Sequence, residues 1–168
     1  STLMDLIVLS LDKELKTIID NKIKLNAIGD INSLPEEVKK KLKETIEKTK
    51  NNKNLTLTIA INYGGKEEIT NAVNTIINKV KKNIILEEKV DEELINTHLY
   101  SRNLPEVDLL IRTSGEKRIS NFLLWKISYA ELYFTNILWP EFSKSDFYKA
   151  IINYQKRERR FGKTSDQV

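Results

Sequence analysis

Two short apolar runs of this chain each stop abruptly at glycine and polar side chains: LTLTIAINYGG, Leu55 to Gly65, and VDLLIRTSGEKR, Val107 to Arg118. Short apolar runs bounded by turn residues read as buried strands, and a strand buried on both faces needs helices to cover it. KEEITNAVNTIINKVKK follows the first run with helical spacing through Ile69, Val73, Ile76, Ile77 and Val80, and IKLNAIGD upstream reads as a strand ending at Gly29. Alternation of this kind predicts an α/β fold, a largely parallel central sheet with helices on both faces. Right-handed crossovers then place the strand C-termini on one edge, where ligands of such sheets collect.

The remaining segments fit the same frame. STLMDLIVLSLDKELKTIIDNK carries Leu3, Leu6, Ile7, Leu11, Leu15, Ile18 and Ile19 at helical spacing. Its first half is apolar nearly all round, which predicts cover on more than one face by the domain body, a partner subunit or an apolar ligand. NSLPEEVKKKLKETIEKTKNNKN reads as a mostly solvated helix, with Ser33 ahead of Pro35 as its start signal. DEELINTHLY is expected to form a short helix, ELYFT a strand, and SKSDFYKAIINYQKRERRFG a closing helix capped by Ser143 or Ser145. No repeat or linker divides the 168 residues, so a single domain over 1–168 is expected.

Composition narrows the function classes. The longest apolar runs, such as LMDLIVLSL and NFLLW, fall short of the roughly 20 residues that a membrane-spanning helix needs. Cysteine is absent, which removes disulfides and thiolate metal sites and suits a reducing compartment, with the cytoplasm expected. A net charge of +4 is compatible with nucleic acid, anionic lipid or phosphorylated small molecules. The cations are scattered among 24 acidic residues without interleaved aromatics, which argues against nucleic acid.

At the end of the Val107–Ile111 strand, Arg112 and Arg118 offer planar forks of N–H donors that match phosphate oxygens. Thr113, Ser114 and Ser120 add hydroxyls, Gly115 lets backbone amides approach, and a short helix starting near Ser120 would add an anion-binding pole. Together these groups favour a diphosphate. The competing reading is an ion pair of Arg112 with Glu116 or Glu131, with Ser120 as an N-cap and nothing bound. Asn62, in INYGG, ends a second strand on the same kind of edge. Glu131 interrupts an apolar run, where an ionised group needs a cation, either Mg²⁺ or an arginine. His98, the one histidine, lies in the predicted short helix away from these loops and is not expected to be catalytic. The terminal KRERRFGK reads as a solvated helix end, unless Arg160 reaches a phosphate.

The stretch DLLIRTSGEKRISNFLLWKISYAELYFTNILWPEF, with AINYGG before it and RERRFG after it, resembles the C-terminal signature of the cis-prenyltransferases, the undecaprenyl diphosphate synthase family. That resemblance implies Mg²⁺-dependent condensation of isopentenyl diphosphate onto an allylic diphosphate such as farnesyl diphosphate, with Z geometry, giving a polyprenyl diphosphate that serves as a lipid carrier precursor. By motif, Arg112, Arg118 and Ser120 correspond to residues holding the diphosphate of isopentenyl diphosphate, and Glu131 to a residue associated with Mg²⁺. Arg160 and Gly162 match a terminal R-x-G that reaches the site across a homodimer, and Asn62 lies in a motif near the site's mouth. The aromatic-rich AELYFTNILW looks like interface, and a long apolar product implies peripheral membrane contact. The family's D-G-N-x-R segment, which supplies a catalytic aspartate, and its S-x-E-N-W motif have no counterpart here. The chain therefore resembles the C-terminal two-thirds of the enzyme, lacking its N-terminal strand and loop, and is expected to be inactive alone. The alternative is a non-catalytic diphosphate-binding or dimer-partner subunit. Lys117 stands where some members carry histidine.

Overall fold

A computed structural model describes residues 2–86 and 89–159 and divides the chain into two compact units, with the boundary between Arg102 and Asn103. In the first unit the order is α1 (Thr2–Asp20), β1 (Ile23–Ile28), a 3-10 turn (Ile31–Ser33), α2 (Glu36–Thr49), β2 (Leu55–Ala60), α3 (Gly65–Lys81) and α4 (Glu92–His98). β1 and β2 pair in parallel, Ile23 against Leu55 through Ile28 against Ala60, as the alternation predicts.

The core lies where α1 and α2 meet β1, around Leu11, Leu25, Leu34, Val38, Leu42 and Ile61. Burying each such side chain contributes about 1.5–3 kcal/mol before entropy is counted. α2 departs from the solvated helix expected: Val38, Leu42, Thr45 and Thr49, a stripe at helical spacing, are buried within its charged length. Thr49 accepts a hydrogen bond from the Leu25 N–H at 3.0 Å and returns its own hydroxyl proton to the Thr45 carbonyl at 2.9 Å. A backbone donor of β1 that would otherwise be orphaned in the core is thereby satisfied. Ser33 does not cap α2. It belongs to the 3-10 turn, where the Asp30 carboxylate accepts from its backbone N–H, and Pro35 precedes the helix instead.

α1 buries Leu11 and Ile18 but leaves Leu3, Leu6 and Leu9 exposed, so the expected cover on a second face is not supplied within the described residues. In α3 the buried stripe is Gly65, Glu68, Ala72 and Ile76, whereas Val73, Ile77 and Val80 of the predicted apolar face are exposed.

The second unit holds β3 (Leu109–Arg112), β4 (Glu131–Phe134), a 3-10 turn (Trp139–Glu141) and α5 (Lys144–Gln155). β3 and β4 also pair in parallel, from Leu109 against Glu131 to Arg112 against Phe134. The connection between them contains no helix at Ser120. Ser120, Asn121 and Leu123 take positive φ of 47°, 63° and 46°, and the segment continues as turns, closed for example by Ile127 N–H to Leu123 carbonyl at 3.0 Å. The buried Lys126 ties this arch down, its carbonyl accepting from Val107 N–H at 3.1 Å and its ammonium pairing with Glu106 at 2.9 Å. α5 opens on a capping box in which Ser143 and Asp146 exchange hydrogen bonds, so Ser143 and not Ser145 is the cap. The helix ends at Gln155, short of the predicted closing helix.

Two predictions follow from these contacts. Gly29 has φ +115°, and a Cβ there would lie 2.0 Å from the Ile61 carbonyl oxygen. Gly29→Ala should therefore cost about 2–4 kcal/mol in chemical denaturation, through an inaccessible φ and a backbone clash that no rotamer relieves. At α5, hydrogen bonds from Lys149 and Ser143 hold the Asp146 carboxyl down at about 2, below its ordinary 3.8. A depressed carboxyl supports the folded cap above its unfolded pKa and stops doing so as pH falls through its folded one. Protection of the amides in the first turn of α5, taken relative to their intrinsic exchange rates, should fall as pH falls from about 4 to 2, and Asp146→Asn should abolish that fall.

Candidate diphosphate-binding loops

Each unit presents polar residues at the C-terminal edge of its strand pair. In the second unit the chain leaves β3 at Arg112 and turns through Ser114 and Gly115, both left-handed at φ 66° and 73°. That turn is spent on the exit of β4: Ser114 N–H donates to the Ile137 carbonyl at 2.8 Å and Gly115 N–H to the Thr135 carbonyl at 2.9 Å. The two amides are therefore not free to hold an anion, contrary to the role expected of Gly115.

Arg112 is half-buried beside a cavity of about 360 Å³ lined by Leu109, Ile111, Ile119, Phe122, Leu123 and Ile127 among others. The described arginines divide sharply: Arg118 pairs with Glu116, Arg157 with Glu131 and Arg159 with Asp108, while Arg102 donates to the Leu99 carbonyl. The Arg112 side chain alone of these has no hydrogen-bond or ion-pair partner among the described residues. The ion pair of Arg112 with Glu116 or Glu131 is thus absent, since other arginines hold both carboxylates. Arg118 is 66% exposed. Ser120 is exposed and sits in a left-handed turn, with no helix for it to cap.

Glu131 lies apart from this loop. It begins β4 opposite Leu109, whereas Arg112 ends β3, three register positions away, or roughly 10 Å at about 3.3 Å per residue. Its Oε2 accepts from Arg157 Nη1 at 2.7 Å. Among the described residues no three carboxylate or imidazole groups gather as a metal cluster. Arg157 occupies one oxygen of the Glu131 carboxylate, so a Mg²⁺ held there would need substrate phosphates to complete its coordination.

In the first unit, Asp30, Asn62, Tyr63, Gly64 and Glu67 line a polar cavity of about 340 Å³ at the exit of β1 and β2. Asn62 is left-handed at φ 48°, and its side-chain amide donates to the Asp30 carbonyl at 3.3 Å while Asp30 N–H donates to the Asn62 carbonyl at 3.1 Å. Beneath the cavity sits a carboxyl that the apolar periodicity missed. Glu68, 1% exposed, accepts from the Tyr63 hydroxyl and from Ser101 N–H at 2.7 Å. Its phase with Ala72 and Ile76 was the available signal. Beside it, burial and the Glu67 carboxylate, which accepts from the phenol at 2.8 Å, push the Tyr100 phenol up. His98 lies elsewhere, its Nε2 2.9 Å from the Lys79 ammonium and its Nδ1 2.7 Å from the Leu94 carbonyl. Its two nitrogens thus tie α4 to its own preceding turn and to α3. Arg160 and Gly162 lie outside the described residues.

A second cavity of the first unit, about 330 Å³, is almost wholly apolar and runs between α1 and the β1–β2 pair, lined by Leu3, Leu6, Ile7, Leu11, Leu57 and Ile59 among others. No described helix is long and apolar enough to cross a membrane.

Glu68→Leu should take from the buried Ser101 N–H its acceptor, at a cost of about 1–3 kcal/mol, and remove the Tyr63 hydrogen bond as well. Urea denaturation with Tyr63→Phe as a partner variant checks this: the double variant should be less destabilised than the sum of the single ones.

Comparison with known proteins accounts for this arrangement. The family model for undecaprenyl diphosphate synthase matches residues 1–162. An isoprenyl transferase of Chlorobaculum tepidum is 48% identical over 168 residues, covering 100% of this chain and 63% of its own length. A ditrans,polycis-undecaprenyl-diphosphate synthase of Photorhabdus laumondii, specific for farnesyl diphosphate, is 46% identical over 164 residues, covering 98% of this chain and 65% of its own length. Lavandulyl diphosphate synthase of Lavandula x intermedia, solved with dimethylallyl diphosphate, superposes with a TM-score of 0.90 at 34% identity over 96% of this chain and 70% of that one. The chain thus spans less than two-thirds of the length of these two curated relatives.

Proposed function

This chain belongs to the undecaprenyl diphosphate synthase family, and we propose that it forms the isopentenyl-diphosphate-binding part of a cis-prenyltransferase. The reaction proposed joins isopentenyl diphosphate to an allylic diphosphate. The allylic C–O bond breaks toward an allyl cation and free diphosphate, the isopentenyl double bond attacks that cation, and a proton passes from the isopentenyl unit to an oxygen of the departing diphosphate, setting a Z double bond. The observation that carries this reading is Arg112, a half-buried guanidinium with no carboxylate partner among the described residues, beside a cavity lined mostly by apolar side chains. A partly desolvated charge of that kind favours an anion. A diphosphate supplies one with two-pronged geometry.

Arg112 would orient the isopentenyl diphosphate, with Arg118 and Ser120 on the exposed arm of the same loop. The charge that develops on a departing diphosphate is stabilised by fixed cations already in place, and this requires no proton transfer from the protein. Asn62, at the mouth of the polar cavity, would hold the exit of β2 in shape. The apolar cavity under α1 suits a growing prenyl chain, because its walls offer that chain the dry surroundings it prefers to water. Mg²⁺ would enter on the substrates' own phosphate oxygens. Farnesyl diphosphate as the primer is supported by the specificity in the Photorhabdus laumondii enzyme's name. Exposed Tyr129, Leu132, Leu138 and Trp139 support a homodimer built on the β4 region. A cytoplasmic enzyme in transient contact with the bilayer that receives its product completes the proposal.

Calorimetric titration with isopentenyl diphosphate tests it. Arg112→Ala should weaken binding roughly ten- to hundredfold, the value of one or two charge-assisted hydrogen bonds, and leave the melting temperature nearly unchanged. Unchanged binding together with a lower melting temperature would make Arg112 a structural residue and sink the reading.

A further inference from the structure

The N-terminal edge of the β3–β4 pair carries two carboxylates, Asp108 just before β3 and Glu131 at the start of β4, and Glu131 N–H donates to the Asp108 carbonyl at 2.9 Å. Both are met by arginines from the segment that follows α5. Arg157 Nη1 reaches Glu131 Oε2 at 2.7 Å, and Arg159 Nη1 reaches Asp108 Oδ1 at 2.6 Å. Each arginine is braced from α5. Arg157 donates Nε and Nη2 to Asn153 Oδ1 at 3.0 and 2.7 Å, and Arg159 donates to the Tyr154 hydroxyl at 3.0 Å with its guanidinium carbon 5.8 Å from that ring's centre.

This is more than a pair of surface contacts. The Arg157 and Glu131 side chains are 31% and 26% exposed, so the pair is screened less than an exposed one. The two pairs span 26 and 51 residues, and they join the strand starts to a stretch that has already left its helix. The structure commits Oε2 of Glu131 to Arg157.

We infer that Asp108 and Glu131 are positioning residues that form a two-carboxylate socket, fixing the segment after α5 at the entry edge of the β3–β4 pair. Glu131 thus acts through Arg157, which holds its Oε2. The socket itself stands on geometry alone. Its effect on diphosphate binding rests on the function proposed above.

The test is limited trypsin digestion of the full chain, following cleavage after Arg159 by mass spectrometry, beside calorimetric titration with inorganic pyrophosphate with and without Mg²⁺. Glu131→Gln should speed cleavage after Arg159 about tenfold, the opening expected when one charge-assisted bond is lost. Exchanging the charges, Glu131→Arg with Arg157→Glu, should restore protection to within about twofold of the starting protein. Pyrophosphate affinity should fall in the single variant and recover in the exchange. Asp108→Asn keeps Glu131 intact and should also speed cleavage, which covers the case in which a Glu131 variant fails to fold. Unchanged cleavage in Glu131→Gln or Asp108→Asn, or an exchange variant that stays unprotected, overturns the socket. An exchange variant that regains protection yet no longer binds pyrophosphate in the presence of Mg²⁺ overturns the positioning role and returns Glu131 to the metal. If the unaltered chain does not bind pyrophosphate, the proposed function fails, and the cleavage results still decide the socket.

Discussion

Two strands that run parallel must enter at one edge and leave at the other, and the chain has to be brought back across the pair each time. The exits and the entries therefore acquire different chemistry. At the exit of β1 and β2, the backbones stay in contact beyond the last ladder residues, with Ile61 N–H on the Ile28 carbonyl and Asp30 N–H on the Asn62 carbonyl. Only a residue without a side chain fits between them, which is why Gly29 stands there at φ +115°. That close approach sets the positions of Asp30 and Asn62, and with them the polar cavity. The entry edge of β3 and β4 carries the opposite kind of chemistry, two carboxylates closed off by arginines.

Much of this frame was legible because burial writes itself into sequence as a period. The apolar runs at Leu25 and Leu110 announce strands, and the turn residues after them announce which end is open. The run at Leu57 also forms a strand, but Leu55 and Leu57 are exposed where a buried strand is expected. Where the structure departs from expectation, polar atoms carry the burial. α2 hides its core stripe behind Thr45 and Thr49, two hydroxyls that satisfy backbone groups and so cost nothing to bury. Glu68 escapes a search for apolar spacing for the same reason, since its partners are a phenol and a backbone amide contributed from residues 5 and 33 positions away.

The arch after Arg118 shows a different limit. Helix propensity and a serine at the start favour a helix near Ser120, yet three non-glycine residues take left-handed conformations there. Lys126 is pinned on Glu106 and Val107, far back in the chain, and the local preference yields to that anchor. The arginine socket was invisible for a related reason. KRERR reads as a solvated charge run, because nothing local reveals that carboxylates 26 and 51 residues earlier will be waiting.

Among the described residues the distribution of charge leaves the Arg112 side chain without an ion-pair partner. Ser114 and Gly115 spend their amides on Ile137 and Thr135, so those two are closed to an anion at this loop. The carboxylates that could have silenced Arg112 are the two that sequence proximity and apolar context single out, Glu116 and Glu131. Glu116 is taken by Arg118, and Glu131 lies at the far edge of the strand pair under Arg157. Were the Arg118–Glu116 pair to break, the released Glu116 carboxylate would be free to turn to Arg112 in the same loop, and under the function proposed above a diphosphate would have to displace it. Glu131 is kept from Arg112 by the register of the strand pair, whether or not Arg157 holds it.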